Sequence, residues 1–368
     1  MSAQVIPSRL RAPFPYFGSK YDVADVVWEA LGDPANYIEP FAGSLAVLLG
    51  RPRPGKVETV NDYSGLVVNF WRAVKAAPHD VARYADEPCH EVTLHAWHRL
   101  LVESAEGMRA SLEADPRWFD AELAGRWAWG ASAWLGSGWC DGTLPRRKPK
   151  IDGGSGRARN GHGVHRTDLS QGTELIRRRP AIGGQGGEGR PHLGVGVIAA
   201  RGQLPHLSGG GETGVGYGRG VHSRAGRQFD GLVAWMEALA ERLRFVRVIC
   251  GDFERVLTRA VTTSHGLTGV FLDPTYDRTM RSSRIYEVED DTCSPRARKW
   301  AIENGENPLL RIVLAGLEGE HEMPPSWRCY AWRTSGGYGN QAREAGGRGL
   351  KNADLERLWF SPHCLLPG

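Results

Sequence analysis

The 368-residue sequence contains no apolar run approaching the roughly 20 residues a membrane-spanning helix needs, which excludes an obvious transmembrane segment. The opening residues, Met1-Ser2-Ala3-Gln4-Val5-Ile6-Pro7, lack the charged and long apolar regions of a signal peptide, so the expected location is the cytoplasm. Cysteine is scarce and scattered. Cys89, Cys140, Cys250, Cys293, Cys329 and Cys364 form no C-x-x-C pair, which argues against a disulfide scaffold or a zinc site and leaves them as free thiols. Neither sign of charge is in large excess, the formal net being +4. A G-x-G-x-x-G fingerprint is also missing from the first strand-turn-helix unit, so that unit offers nothing obvious for a pyrophosphate.

What is present concentrates at the ends of apolar runs. Gly269-Val270-Phe271-Leu272 leads into Asp273-Pro274-Thr275-Tyr276, which places a carboxylate and an aromatic ring at the carboxyl end of a strand, where open α/β sheets carry out chemistry. The same four residues also read as an ordinary strand-to-turn junction, because Asp-Pro commonly opens turns. Further upstream, Tyr37-Ile38-Glu39-Pro40-Phe41-Ala42-Gly43-Ser44-Leu45 reads as a short strand, a tight turn of small residues and a helix start, a geometry that lets backbone amides approach a ligand. About twenty residues later Val60-Asn61-Asp62 ends a second apolar stretch, at the position where dinucleotide folds carry the acid that binds a ribose. An adenosine-containing cofactor without phosphates fits this pattern, and S-adenosylmethionine is such a molecule.

In order along the chain, these residues resemble the Dam-like DNA adenine-N6 methyltransferases. Pro15-Tyr16-Phe17-Gly18-Ser19-Lys20-Tyr21 is similar to the family's amino-terminal element, Glu39-Pro40-Phe41-Ala42-Gly43-Ser44 to its cofactor loop, and Asn61-Asp62 to its ribose-binding acid. Gly251-Asp252-Phe253, after Val246 to Cys250, resembles the element that contacts the cofactor's adenine ring, and Asp273-Pro274-Thr275-Tyr276 falls where the family carries Asp-Pro-Pro-Tyr. The chain departs from the family at Leu45, in place of a glycine, and at Thr275, in place of a proline.

The resemblance implies a class I, Rossmann-like α/β fold with a mixed, largely parallel sheet and an inserted target-recognition region. It implies S-adenosylmethionine held by Tyr16, Gly18, Lys20, Glu39, Pro40, Phe41, Gly43, Asp62, Asp252 and Phe253, with Asp62 on the ribose and Asp252 on the adenine amine. Catalysis would rest on Asp273 and the Pro274 carbonyl as acceptors for an exocyclic amine, with Tyr276 stacked on the extruded base and no metal required. Methylation of cytosine N4 or of an adenine in RNA remains an alternative, as does a nucleic-acid-binding protein with a degenerate catalytic motif.

The middle of the chain differs in composition. Residues 146 to 190 hold 11 Lys or Arg against 4 Asp or Glu, a local +7 that leaves the rest at −3. A concentrated basic segment points to a polyanion, and for this family to double-stranded DNA, with Arg146, Arg147, Lys148, Arg177, Arg178 and Arg179 as candidate contacts. A solvated loop is the competing reading. Between Gly153 and Gly220 lie 21 of the 48 glycines, with histidines that lack companions at metal-ligand spacing.

The expected organisation is a cofactor-binding part over residues 1–79, an inserted helical and basic region over 80–227, and a catalytic part over 228–368. Helices are expected at 19–31, through 90–136, at Asp230 to Leu243, at Phe253 to Arg259 and at Pro295 to Asn304. Strands are expected at Val246 to Cys250, Val270 to Asp273, Leu309 to Ala315, Cys329 to Trp332 and Leu358 to Ser361. The tryptophans of the helical stretch are expected mostly in the core. No obligate protein partner is inferred.

Overall fold

Alternating strands and helices order a seven-stranded sheet in the computed structural model, which describes residues 9–16, 18–134, 139–140, 220–223, 229–276, 292–333 and 354–365. The strands are β1 (Asn36–Glu39), β2 (Val57–Asp62), β3 (Val246–Cys250), β4 (Thr268–Leu272), β5 (Leu310–Leu317), β6 (Arg328–Ala331) and β7 (Glu356–Phe360). Their spatial order is β3-β2-β1-β4-β5-β7-β6. The first five run parallel, and β7 pairs antiparallel with both β5 and β6. This is the mixed, largely parallel Rossmann-like α/β sheet expected from the sequence.

The helices are α1 (Ala24–Leu31), α2 (Ala46–Leu49), α3 (Gly65–Ala76), α4 (Pro78–Ala85), α5 (Glu91–Ala114), α6 (Ala121–Ala133), α7 (Phe229–Leu243) and α8 (Cys293–Asn304). Parallel strands covered on both faces should be apolar throughout, and each face should take alternate residues. The core divides in this way. Tyr37, Phe271, Val313 and Leu358 pack on the face that also receives Val27 of α1, Phe70 of α3 and Met236 of α7. Their neighbours Ile38, Val270, Leu272, Ile312, Leu314 and Trp359 pack on the other face with Ala297 and Ala301 of α8.

The region expected to be helical through 90–136 is two helices. Pro116 disfavours helical backbone at Asp115, where α5 stops. Asp120 then caps α6 by accepting from the Leu123 amide at 2.9 Å. Both helices are tied to α3 by buried polar contacts: Asn69 exchanges hydrogen bonds with the Asp120 backbone, and the Arg72 guanidinium donates to the carbonyls of Val248, Leu112 and Asp115. Trp127, Trp129 and Trp134 are buried, as expected of core residues.

The helix expected at Phe253 to Arg259 is instead a single 3-10 turn, Phe253–Val256. Asp252 opens it by accepting from the Glu254 amide, and burial of Phe253, Val256 and Leu257 turns the chain onto the sheet before an α-helix can propagate. Strand β4 ends at Leu272, so Asp273 stands one residue beyond it.

Candidate active site

In a parallel sheet all strands deliver their carboxyl ends to one edge, and a crevice opens where successive connections run in opposite directions. Here β1 lies between β2 and β4, so the crevice falls where Glu39 and Asp273 emerge. A cavity of about 340 Å³ occupies that place, at the scale of small-molecule sites. All ten cofactor candidates, Tyr16, Gly18, Lys20, Glu39, Pro40, Phe41, Gly43, Asp62, Asp252 and Phe253, line it. So do Asp273 and Thr275, while Pro274 and Tyr276, next to them in the chain, are not among the lining residues.

The loop after β1 is built for close approach. Gly43 has φ +44°, and a Cβ there would stand 2.6 Å from Cε1 of Tyr16, so only glycine fits the backbone and the space together. Its amide donates to Asp62 Oδ2 at 2.9 Å and its carbonyl accepts from the Trp71 indole at 2.9 Å. Leu45 also adopts a left-handed conformation, φ 53° and ψ 29°, although its side chain is fully buried. Packing therefore maintains a backbone shape that a glycine would adopt without strain.

Asp62 spans the crevice floor. Oδ2 accepts from Gly43 and Oδ1 from the Ser64 amide at 2.9 Å, so the acid joins the β1 loop to the start of α3. Burial pushes its carboxyl above the usual range, and the amides of Gly43, Ser64 and Tyr63 oppose that rise. Its neighbour Asn61 donates to the carbonyls of Pro40 and Gly251, fastening the β1 and β3 loops to each other. Glu39 accepts through Oε2 from the Tyr37 hydroxyl at 2.9 Å and the Leu48 amide at 3.1 Å. Burial pushes its carboxyl up to about 8 despite those two donors.

On the next loop Asp252 meets Arg296 of α8, one guanidinium nitrogen lying 3.0 Å from both carboxylate oxygens. That guanidinium sits 4.9 Å from the Phe253 ring centre, and Phe253 packs against Phe41 at 5.1 Å. An aromatic pair beside a carboxylate suits a flat heterocycle carrying an amine.

Asp273 is paired with Lys20 at 2.9 Å, and Lys20 is nearly inaccessible at 2% exposure. The ammonium also donates to the Gly18 carbonyl and lies 5.2 Å from the Tyr276 ring centre. Burial works against its charge, yet Asp273 and Glu356 outweigh burial and hold the Lys20 pKa above its ordinary value. Burial raises the Asp273 carboxyl in turn, with Lys20 opposing. The Tyr276 hydroxyl donates to Glu356 Oε2 at 2.7 Å.

Sequence reasoning passed over several of these groups. Glu356, Glu320, Arg296, Trp127, Trp139, Cys140 and Cys293 belong to no motif, and only the fold brings them to the crevice or to its charged residues. The DNA candidates Arg146, Arg147, Lys148, Arg177, Arg178 and Arg179 lie outside the described residues, as does most of the glycine-rich stretch. Among the described residues no cluster of His, Cys, Asp or Glu could hold a metal ion, and no helix is long and apolar enough to cross a membrane.

Residues 16–97 match the family model of D12 class N6 adenine-specific DNA methyltransferases, which bears out the resemblance read from the motifs. The matched segment runs from Tyr16 through the β1 loop and Asp62 into α5, and it ends before Asp252 and Asp273. This family implies methylation of adenine in DNA with S-adenosylmethionine as methyl donor. No curated protein matches the chain.

Proposed function

We propose that this chain transfers a methyl group from S-adenosylmethionine to the exocyclic N6 of an adenine swung out of duplex DNA. The observation that carries the reading is the crevice at the strand-order switch, which gathers the ten cofactor candidates and Asp273 although they come from five separate stretches of sequence. The residues present fit such a cofactor. Gly43 leaves room for close backbone approach, Phe41 and Phe253 offer apolar ring surface, and Asp62 and Asp252 offer carboxylates to ribose hydroxyls and an adenine amine. When bound, S-adenosylmethionine supplies a methyl carbon made electrophilic by its positively charged sulfur.

Asp273 and the Pro274 carbonyl then act on the target amine. Its lone pair is delocalised into the purine ring, so the nitrogen is a poor nucleophile. Two acceptors that draw its hydrogens out of the ring plane help restore that lone pair. With the cofactor bound, N6 would form its bond to the methyl carbon as the carbon–sulfur bond breaks and those electrons return to sulfur. The methylated nitrogen then releases one proton, which Asp273 is placed to accept. Lys20 orients Asp273 through its 2.9 Å ion pair, and Tyr276 offers a ring on which the base can stack, worth about 1–3 kcal/mol.

In this scheme residues 80–227 supply target recognition between the cofactor-binding part, 1–79, and the catalytic part, 228–368, with the basic segment tracking DNA phosphates. Mass spectrometry of nucleosides from the DNA and RNA of an expressing host tests the reading directly. N6-methyladenine in DNA is the expected product. N4-methylcytosine, or a product confined to RNA, would replace it with a different target for the same site.

A further inference from the structure

We infer that Glu356 is a positioning residue that sets the ring of Tyr276 for the extruded base, an inference that rests on the methyltransferase reading above. Glu356 opens β7, on the antiparallel side of the sheet, paired in register with Leu317 of β5. It is therefore 80 residues from Tyr276 in sequence, and no motif connects the two. A carboxylate 7% exposed at the start of a strand is costly to bury unless something nearby uses its charge or its lone pairs. Two groups do. Oε2 accepts the Tyr276 hydroxyl at 2.7 Å, and the buried Lys20 ammonium interacts with the carboxylate electrostatically.

A tyrosine side chain has two rotatable bonds, so its ring is placed once its tip and one face are held. Glu356 holds the tip. Lys20 stands over the ring, 5.2 Å from its centre. The hydroxyl also lies within reach of Asp273 and its single proton can serve only one carboxylate at a time, so Tyr276 stands between the carboxylate proposed to receive the amine and the carboxylate that anchors the ring. Glu320 completes the surroundings, its own oxygens accepting from Ser294 Oγ at 2.7 Å and the Leu317 amide at 3.0 Å. Glu320 is thus held by its own loop and helix α8, whereas Glu356 accepts from the ring.

The alternative role for Glu356 is to neutralise Lys20, and the two roles part at Glu356→Gln. Glutamine keeps an oxygen that accepts from the hydroxyl and loses the charge. The assay is single-turnover transfer of tritiated methyl from S-adenosylmethionine to unmethylated genomic DNA, with cofactor affinity measured alongside. Anchoring predicts that Glu356→Gln stays near the wild-type rate, while Glu356→Leu falls about tenfold, the equivalent of one lost hydrogen bond, at unchanged cofactor affinity. Tyr276→Phe, which also takes the hydroxyl away from Asp273, should fall at least as far as Glu356→Leu, and the double variant should be no slower than Tyr276→Phe.

Equal losses for Glu356→Gln and Glu356→Leu, or multiplied losses in the double variant, would overturn the anchoring role. If Glu356→Leu does not fold, the comparison of Glu356→Gln with Tyr276→Phe still decides, because anchoring requires the first to be fast and the second slow. A wild-type chain that methylates no adenine in DNA sinks the proposed function itself, a result distinct from an active wild type indifferent to Glu356.

Discussion

The two sides of the crevice hold their carboxylates differently. On the β1-β2 side, Glu39 and Asp62 accept from backbone amides, so their geometry is part of the loops themselves. On the β4-β7 side, Asp273, Lys20, Tyr276 and Glu356 hold one another through side-chain tips. Groups fixed by backbone suit a cofactor that must find the same shape at every turnover. Groups that satisfy one another can exchange partners when a base and its amine arrive.

If that contrast is right, substitutions on the β4-β7 side should show strong coupling between residues. Asp273→Ala is expected to lower single-turnover transfer by at least about a thousandfold, in line with removing a preorganised acceptor from the transition state. It also strands the buried Lys20 charge, so urea melts should show a loss on the order of 3 kcal/mol. Adding Lys20→Met should recover part of that stability and none of the activity. Additive stability losses would break the comparison.

On the β1-β2 side the cost should lie in backbone and packing. Leu45→Ala is expected to destabilise by about 2–4 kcal/mol through the cavity it leaves. Leu45→Gly should be no worse, since relief of a left-handed backbone, about 1–2 kcal/mol, offsets glycine's usual penalty. Chemical denaturation of both variants checks the order, and a clearly weaker Leu45→Gly would remove the strain from the account. For Asp62→Ala, calorimetry should show S-adenosylmethionine affinity weakened by about 1.5–3 kcal/mol, and affinity equal to wild type would end the ribose assignment.

Glu39 gives a pH-dependent test. Its folded pKa of about 8 lies above the ordinary 4.5, so the folded chain keeps a proton that the unfolded chain releases. That contribution to stability is full below about pH 4.5 and declines towards pH 8, at up to about 1.4 kcal/mol per pH unit. Glu39→Gln should resemble wild type at pH 5 and be more stable than it at pH 8, as read from urea midpoints. The smallest effect concerns DNA. Neutralising Arg177, Arg178 and Arg179 together should flatten the slope of log affinity against log salt by about 0.9 for each phosphate that goes unpaired, with cofactor affinity unaltered. An unchanged slope returns that segment to a solvated loop.

The strands were legible because apolar runs such as Val270 to Leu272 need no partner to be recognised as buried. Boundaries failed where a local competitor acted, as at Pro116 between two helices and at Asp252, whose cap opens a short turn. The crevice-lining candidates were legible because each sits in a compact stretch, such as Glu39 to Ser44, where residue types and spacing carry the chemistry.

By itself the sequence determined the α/β class, the order of the motifs and the two loops where glycine and acid must meet, because all of these depend on residues close together in the chain. The tertiary structure alone decided which distant groups complete the crevice. Lys20 meets Asp273 across some 250 residues of chain, Glu356 reaches Tyr276 from an antiparallel strand, and Arg296 closes on Asp252 from α8. Such pairings follow from strand order and, for Lys20, Asp273 and Glu356, from burial, since a buried charge must find a partner wherever the fold places one, and spacing in sequence does not record where that is.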